Sequence, residues 1–280
     1  NVHRLALEGT VFRRFYSAAT EVLPSYAAIM SGRYGIHTGV TSNGSTDLPA
    51  GQMTIAQALK PHGYATGIFG RWRTGAVRAG QAAVLAPLDR GFDEFLGLMA
   101  AGDDVDRFPA KLWDGRELKP SDGYADDLCT DGAIRFMKQH KDDQFFVYLP
   151  FACPNGKPAA PKDEKAGLDG KFQEIDDDNP QNTAYAAEVV RMDKEVGRIL
   201  KTLDELQLDK RTLVIFTSTR GASFEKSEGF APIYFDSNRP FRGGGGTLWE
   251  GGIRVPAVVC WPGHLPSHQD THEIVQSCDL

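Results

Sequence analysis

The chain has 280 residues, 41% of them hydrophobic and 24% charged, the balance of an ordinary globular protein with a buried core. This excludes disorder, collagen and coiled coil as the main state. Lys and Arg total 31 against 37 Asp and Glu, a formal charge of -6 that argues against a nucleic-acid or anionic-membrane binder.

A short helix fits residues 2–9, closed by Gly9. A second, built of small residues, is expected over 25–31, with Pro24 at its start and Gly32 past its end. Residues 54–60 suit a third, because Thr54 can cap it, Ile55, Ala58 and Leu59 share a face, and Gly63 follows. Residues 64–69 read as a strand, and 125–140 as an amphipathic helix carrying Leu128, Ala133, Ile134 and Met137. The run Phe145-Phe146-Val147-Tyr148-Leu149 fits a strand buried on both faces, as in a parallel sheet. Residues 153–180, rich in Pro, Lys, Asp and Gly, read as a surface loop. The longest helix is expected over 183–206, where Val189, Val190, Met192, Val196, Ile199, Leu200 and Leu203 keep a helical period. Residues 212–217 make the strongest strand, 221–246 a long loop ending in glycines 243–246, and 255–261 a last strand. Alternating strands and helices predict an α/β fold, a largely parallel sheet covered by helices.

Cys129, Cys153, Cys260 and Cys278 stand far apart with no CxxC pair, so they read as scattered buried thiols. No apolar run approaches the ~20 residues of a membrane span, and Asn1-Val2-His3-Arg4-Leu5 has no leader pattern. Both ends read as cut. In such folds sites lie beyond the carboxyl ends of strands, here residues 70–75, 152–158, 218–221 and 242–246. The helix starting near Ser25 adds free backbone N–H groups.

Several of these stretches resemble one family. Val22-Leu23-Pro24-Ser25-Tyr26-Ala27-Ala28-Ile29-Met30-Ser31-Gly32-Arg33-Tyr34 resembles the signature helix of the sulfatases. Gly70-Arg71-Trp72-Arg73-Thr74-Gly75 resembles their Gly-Lys-Trp-His-x-Gly, and Arg90-Gly91-Phe92-Asp93-Glu94-Phe95 their His-Gly-Phe-Asp turn. Thr247-Leu248-Trp249-Glu250-Gly251-Gly252-Ile253-Arg254-Val255-Pro256 matches a family block residue for residue. The resemblance implies an alkaline-phosphatase-like fold, a mostly parallel sheet sandwiched between helix layers, in one domain over residues 1–280. It also implies that the family's first strand, with two metal-binding Asp residues, and the C-terminal subdomain are lacking. Family members often act in the periplasm or outside the cell.

The resemblance lapses where the family's chemistry lies. The Cys or Ser that becomes formylglycine is Val22, and the signature Arg is Tyr26. The Lys and His of the second motif are Arg71 and Arg73, and the His of an Ala-Pro-His loop is Asn155. The calcium-binding Asp-Asn pair is Thr219-Arg220, and the sulfate-binding Lys falls at Gly245. Valine offers no nucleophile, and Asn155 and Arg73 are no general acids. Calcium needs six to eight oxygen ligands, several of them carboxylate, so no calcium or other cofactor is expected. The scaffold motifs persist while the reactive positions change, the pattern of a natural pseudoenzyme or a deliberately emptied site. The expected function is a catalytically inactive sulfatase scaffold.

Arg71, Arg73 and Arg220 are candidates for one basic pocket holding sulfate or phosphate esters or sulfated glycans. The alternative is that they turn to solvent or pair with nearby Asp. Two further classes are a residual ester hydrolase using Ser25 or Thr219, and an anion- or sulfated-glycan-binding module. His37 reads as a packing residue, and His264, His268 and His272 as a solvated loop because Pro262 and Pro266 interrupt a helix. Asp176-Asp177-Asp178 reads as a solvated acidic loop, and glycines 243–246 lack the Lys and Ser/Thr of a phosphate loop.

Overall fold

The computed structural model describes residues 1–45, 47–74, 86–99, 105–154, 156–172, 181–223 and 232–280. The helices are α1 (Val2–Glu8), α2 (Val22–Ser31), α3 (Gly35–Thr38), α4 (Ile55–Leu59), α5 (Ala125–Gln139), α6 (Lys162–Ala166), α7 (Gln181–Glu205), α8 (Pro232–Phe235) and α9 (Glu250–Ile253). The strands are β1 (Thr10–Tyr16), β2 (Ala65–Trp72), β3 (Glu94–Met99), β4 (Lys111–Asp114), β5 (Glu117–Pro120), β6 (Phe145–Tyr148), β7 (Val214–Thr217), β8 (Ala257–Cys260) and β9 (Gln269–Gln276). They form two compact units, one of Asn1–Ile55, Leu200–Phe224 and Asp236–Leu280, the other of Ala56–Ile199 and Glu225–Phe235.

The first unit holds a sheet ordered β7-β8-β1-β9. β1 runs parallel to β9 and antiparallel to β8. Phe15, Val255 and Ala257 form its buried cluster, with Phe12 and Val275 against it. The second unit holds a sheet ordered β5-β4-β3-β2-β6, with β2 parallel to both β3 and β6. α5 covers it through Cys129, Ala133 and Phe136, which meet Phe69 of β2. The Phe69 and Phe136 rings lie 5.6 Å apart, and burying each contributes about 2 kcal/mol. At the centre of the β2–β3 ladder Gly70 faces Gly97, where a Cβ on Gly97 would overlap the Gly70 backbone.

The α/β architecture is the one expected, but the sheets are mixed. Antiparallel hairpins add β4 and β5 beside β3, and β8 lies antiparallel to both neighbours. α2 begins at Val22, three residues before the expected Ser25. Pro24 therefore lies inside its first turn, where a missing N–H costs nothing because those groups have no intrahelical acceptor. The run 145–149 is half-buried rather than buried on both faces, since β6 is an outer strand of its sheet. β7 is likewise an outer strand, with Leu213 and Ile215 exposed at 45% and 40%. The stretch 153–180 is not wholly surface loop, because α6 lies in it and Glu164 is buried. The expected loop 221–246 includes α8.

In α7 the buried face near the N-terminus is not the valine stripe. Ala184, Ala187 and Glu188 are buried there, whereas Val190 is exposed. All four cysteines are free thiols, three of them buried. Among the described residues no helix is long and apolar enough to cross a membrane.

Candidate functional site

The first unit carries Val22, Tyr26, Thr219, Arg220 and Gly245, and the second carries Arg71 and Arg73. Val22 opens α2 and is only 6% exposed. Asn43 holds this end of the helix: its Oδ1 accepts the Leu23 N–H at 2.9 Å, and its own N–H is donated to Glu21 Oε2. Tyr26 is buried one turn further on. Ser25 is fully buried and donates its hydroxyl to the Ala19 carbonyl at 3.0 Å. A hydroxyl shut away from solvent and given to a backbone oxygen ties the chain before α2 to the helix.

The strongest apolar strand, β7, delivers Ser218, Thr219 and Arg220 at its carboxyl end. Ser218 Oγ closes the turn on the Arg220 carbonyl at 2.9 Å, and the Gly221 N–H reaches the Gly252 carbonyl at 2.9 Å. The glycine loop is stitched to the same place. The Gly245 N–H is donated to the Ala222 carbonyl, and the Gly246 N–H to the Thr20 carbonyl just before α2. The structure thus brings the β7 turn, the glycine loop and the approach to α2 together through the backbone.

The guanidinium of Arg220 lies against Gly245, so that a Cβ built there would overlap Nη1 and stand 3.0 Å from Cζ. Its hydrogen-bond partner among the described residues is Ser223 Oγ at 3.3 Å. Thr219 and Arg220 supply no carboxylate, the ligand type of which calcium takes several. Among the described residues no group of three or more His, Cys, Asp or Glu is arranged to hold a metal ion.

Below the glycine loop the family-like block is braced by its own charges. Arg242 stacks on Trp249 at 3.7 Å, and Arg254 covers the Phe241 ring at 4.3 Å and pairs with Glu250 at 3.0 Å.

In the second unit Arg71, Trp72, Arg73 and Thr74 follow one another at the end of β2, all at or below 6% exposure. Burial keeps Arg71 and Arg73 from turning to solvent, whereas Arg220 of the first unit is half-buried. The Arg71 N–H is donated to the Pro150 carbonyl at 2.9 Å, which fixes the end of β2 against the chain leaving β6. Asp93, from the turn before β3, accepts the Thr66 N–H at 3.0 Å and hydroxyl at 2.8 Å and pairs with Lys60 at 2.6 Å. Asn155 and Asp176-Asp177-Asp178 lie outside the described residues. His37 is exposed at the end of α3, its ring edge-on to Tyr34 at 6.3 Å. His264 stacks on Trp261 at 4.3 Å and His272 lies in β9, so the three spaced histidines share no helix face.

A buried polar cluster behind the Cys153 loop is absent from the sequence reading. Asp126, in the first turn of α5, accepts the N–H groups of Ala152 at 2.8 Å and Cys153 at 3.2 Å. Glu188 of α7 accepts from Arg107 Nε at 2.9 Å and from the Ala159 N–H at 3.0 Å. Burial pushes the carboxyls of Asp126 and Glu188 and the Cys153 thiol upward; bonded N–H groups and Arg107 oppose this for the two acids. The local signal was a glutamate in phase with Ala184 and Ala187 on one face of a long helix.

The family model described as Sulfatase matches residues 1–280. N-acetylgalactosamine-6-sulfatase of Sus scrofa is 30% identical over 310 residues, covering 100% of this chain and 55% of its own. Steryl-sulfatase of Mus musculus is 29% identical over 347 residues, covering 95% and 54%. The chain spans about half the length of these curated relatives. The crystal structure of Ps i-CgsB in complex with k-i-k-neocarrahexaose superposes with a TM-score of 0.84 at 25% identity, over 100% of this chain and 64% of that one. The phosphonate monoester hydrolase of Agrobacterium radiobacter shares the fold at a TM-score of 0.66 and 19% identity, over 99% and 66%. The motifs read from the sequence, the alkaline-phosphatase-like α/β fold and the full-length family match agree: this chain belongs to the sulfatase family.

Proposed function

We propose that this chain is a sulfatase-family domain that holds sulfate esters of sugars without the family's formylglycine chemistry. The observation that carries the reading is Val22. An apolar side chain, 6% exposed, opens the helix at the position where the family resemblance places the oxidisable nucleophile. Without a nucleophile the site retains at most binding and charge stabilisation. Thr219 and Arg220 give no carboxylate for calcium, so the proposed domain works without the metal. The ligand class follows from the basic residues that replace the family's Lys, His and Asn, and from the sulfated-sugar activity in the name of the Sus scrofa relative.

Isothermal titration tests this with N-acetylgalactosamine 6-sulfate against N-acetylgalactosamine, and with 4-nitrophenyl sulfate. Heat is expected with the sulfated compounds, weakening as salt is raised, and none with the unsulfated sugar. No heat with either sulfate ester contradicts the reading.

A further inference from the structure

The guanidinium of Arg220, together with the Gly221 carbonyl, occupies the space that any side chain at position 245 would need. The backbone at Gly245 is fixed by its own N–H on the Ala222 carbonyl, and the next residue by Gly246 N–H on the Thr20 carbonyl. The loop therefore cannot step aside without breaking bonds to the β7 turn and to the approach to α2. Arg220 is half-buried, and among the described residues it has no carboxylate within ion-pair distance; Ser223 Oγ is its hydrogen-bond partner. A guanidinium has five N–H donors in a rigid fork, and one hydroxyl leaves most of them to water or to a ligand.

We propose that Arg220 and Gly245 form one coupled device, in which glycine vacates a seat and the Arg220 guanidinium fills it as the anion-binding charge of the first unit. The ligand chemistry is a tetrahedral oxyanion ester, whose paired oxygens match the guanidinium fork. This rests on the reading that the domain binds such esters, and adds which residue binds and why position 245 is glycine. A fixed guanidinium also differs from a bound metal ion: its charge is permanent and independent of chelators.

Two measurements on the whole chain test the proposal. The first is a stability cycle by chemical denaturation over the wild type, Gly245→Ala, Arg220→Ala and the double variant. Gly245→Ala is expected to be destabilising, and Arg220→Ala to relieve part of that loss, because the guanidinium overlap is gone while the Gly221 carbonyl, 2.7 Å from the added Cβ, remains. Additive effects, or a neutral Gly245→Ala, overturn the coupling. The second is titration with 4-nitrophenyl sulfate and 4-nitrophenyl phosphate. Arg220→Gln is expected to bind the preferred ester about tenfold more weakly, with a shallower salt dependence, and Arg220→Lys to recover part of the loss. The ratio of the two esters in the wild type says whether sulfate or phosphate is preferred. Unchanged binding in Arg220→Gln overturns this proposal and leaves the function reading intact. Absence of binding by the wild type overturns both.

Discussion

The carboxylate of Asp126 accepts the backbone N–H of Cys153 at 3.2 Å while its other oxygen accepts that of Ala152 at 2.8 Å. One side chain from the start of α5 thus fixes the backbone at Ala152 and Cys153, both of them buried. Replacing it with alanine strands two buried N–H groups. Asp126→Ala is expected to lower stability by about 2–4 kcal/mol in urea denaturation, and Asp126→Asn by less, because the amide oxygen still accepts one of the two.

Arg107 and Glu188 make a pair at 2.9 Å with side chains 1% and 0% exposed. Removing one partner leaves a charge in the interior. Arg107→Ala is expected to cost about 3–5 kcal/mol, whereas Arg107→Met with Glu188→Leu costs much less, because no charge is abandoned. Denaturation of the two variants side by side checks this. Equal losses would mean that packing, not charge, dominates at this point.

Asp93 sets a pH dependence. Partial burial works to raise its carboxyl, but Lys60 and the two groups of Thr66 outweigh it and hold the carboxyl below its ordinary range. A carboxyl lowered in the folded state contributes stability that is full above its unfolded pKa and is lost as pH falls through the folded value. The acid limb below about pH 4 is therefore expected to flatten in Asp93→Asn, with the neutral limb nearly parallel to the wild type. Melting temperatures from pH 7 to pH 2 measure it, and an unchanged acid limb would show that Asp93 does not carry the effect.

The facing glycines of β2 and β3 set the closeness of those strands. A Cβ on Gly97 meets the Gly70 backbone, which cannot rotate away as a side chain could. Gly97→Ala is expected to cost about 3 kcal/mol or more by spreading the ladder, measurable by chemical denaturation.

How far the sequence speaks depends on whether the cause is local. α4 is legible because its apolar spacing and a closing glycine, Gly63, lie within one segment, and α5 because Leu128, Ala133, Ile134 and Met137 keep a helical spacing. The family motifs are legible too, since each is a contiguous string. β1 and β9 are not. β1 carries Arg13 and Arg14 in its middle, and β9 reads Gln-Asp-Thr-His-Glu-Ile-Val-Gln, with little apolar alternation. They are strands because they pair with one another across most of the chain, from Thr10 with Gln269 to Tyr16 with Gln276. Arg107, Asp126 and Glu188 come from three separate segments, so only the phase of Glu188 with Ala184 and Ala187 hinted at a buried charge. Arg220 and Gly245 are visible one by one in the sequence; their contact is a property of the fold.

The proposed function has Val22 leave this sulfatase-family domain without hydrolytic chemistry. Release of 4-nitrophenol from 4-nitrophenyl sulfate by the purified chain, with calcium added and with chelator, tests it most directly. The account predicts release at the rate of the buffer alone in both conditions. Release above that rate, sustained over many turnovers and abolished by chelator, would contradict it.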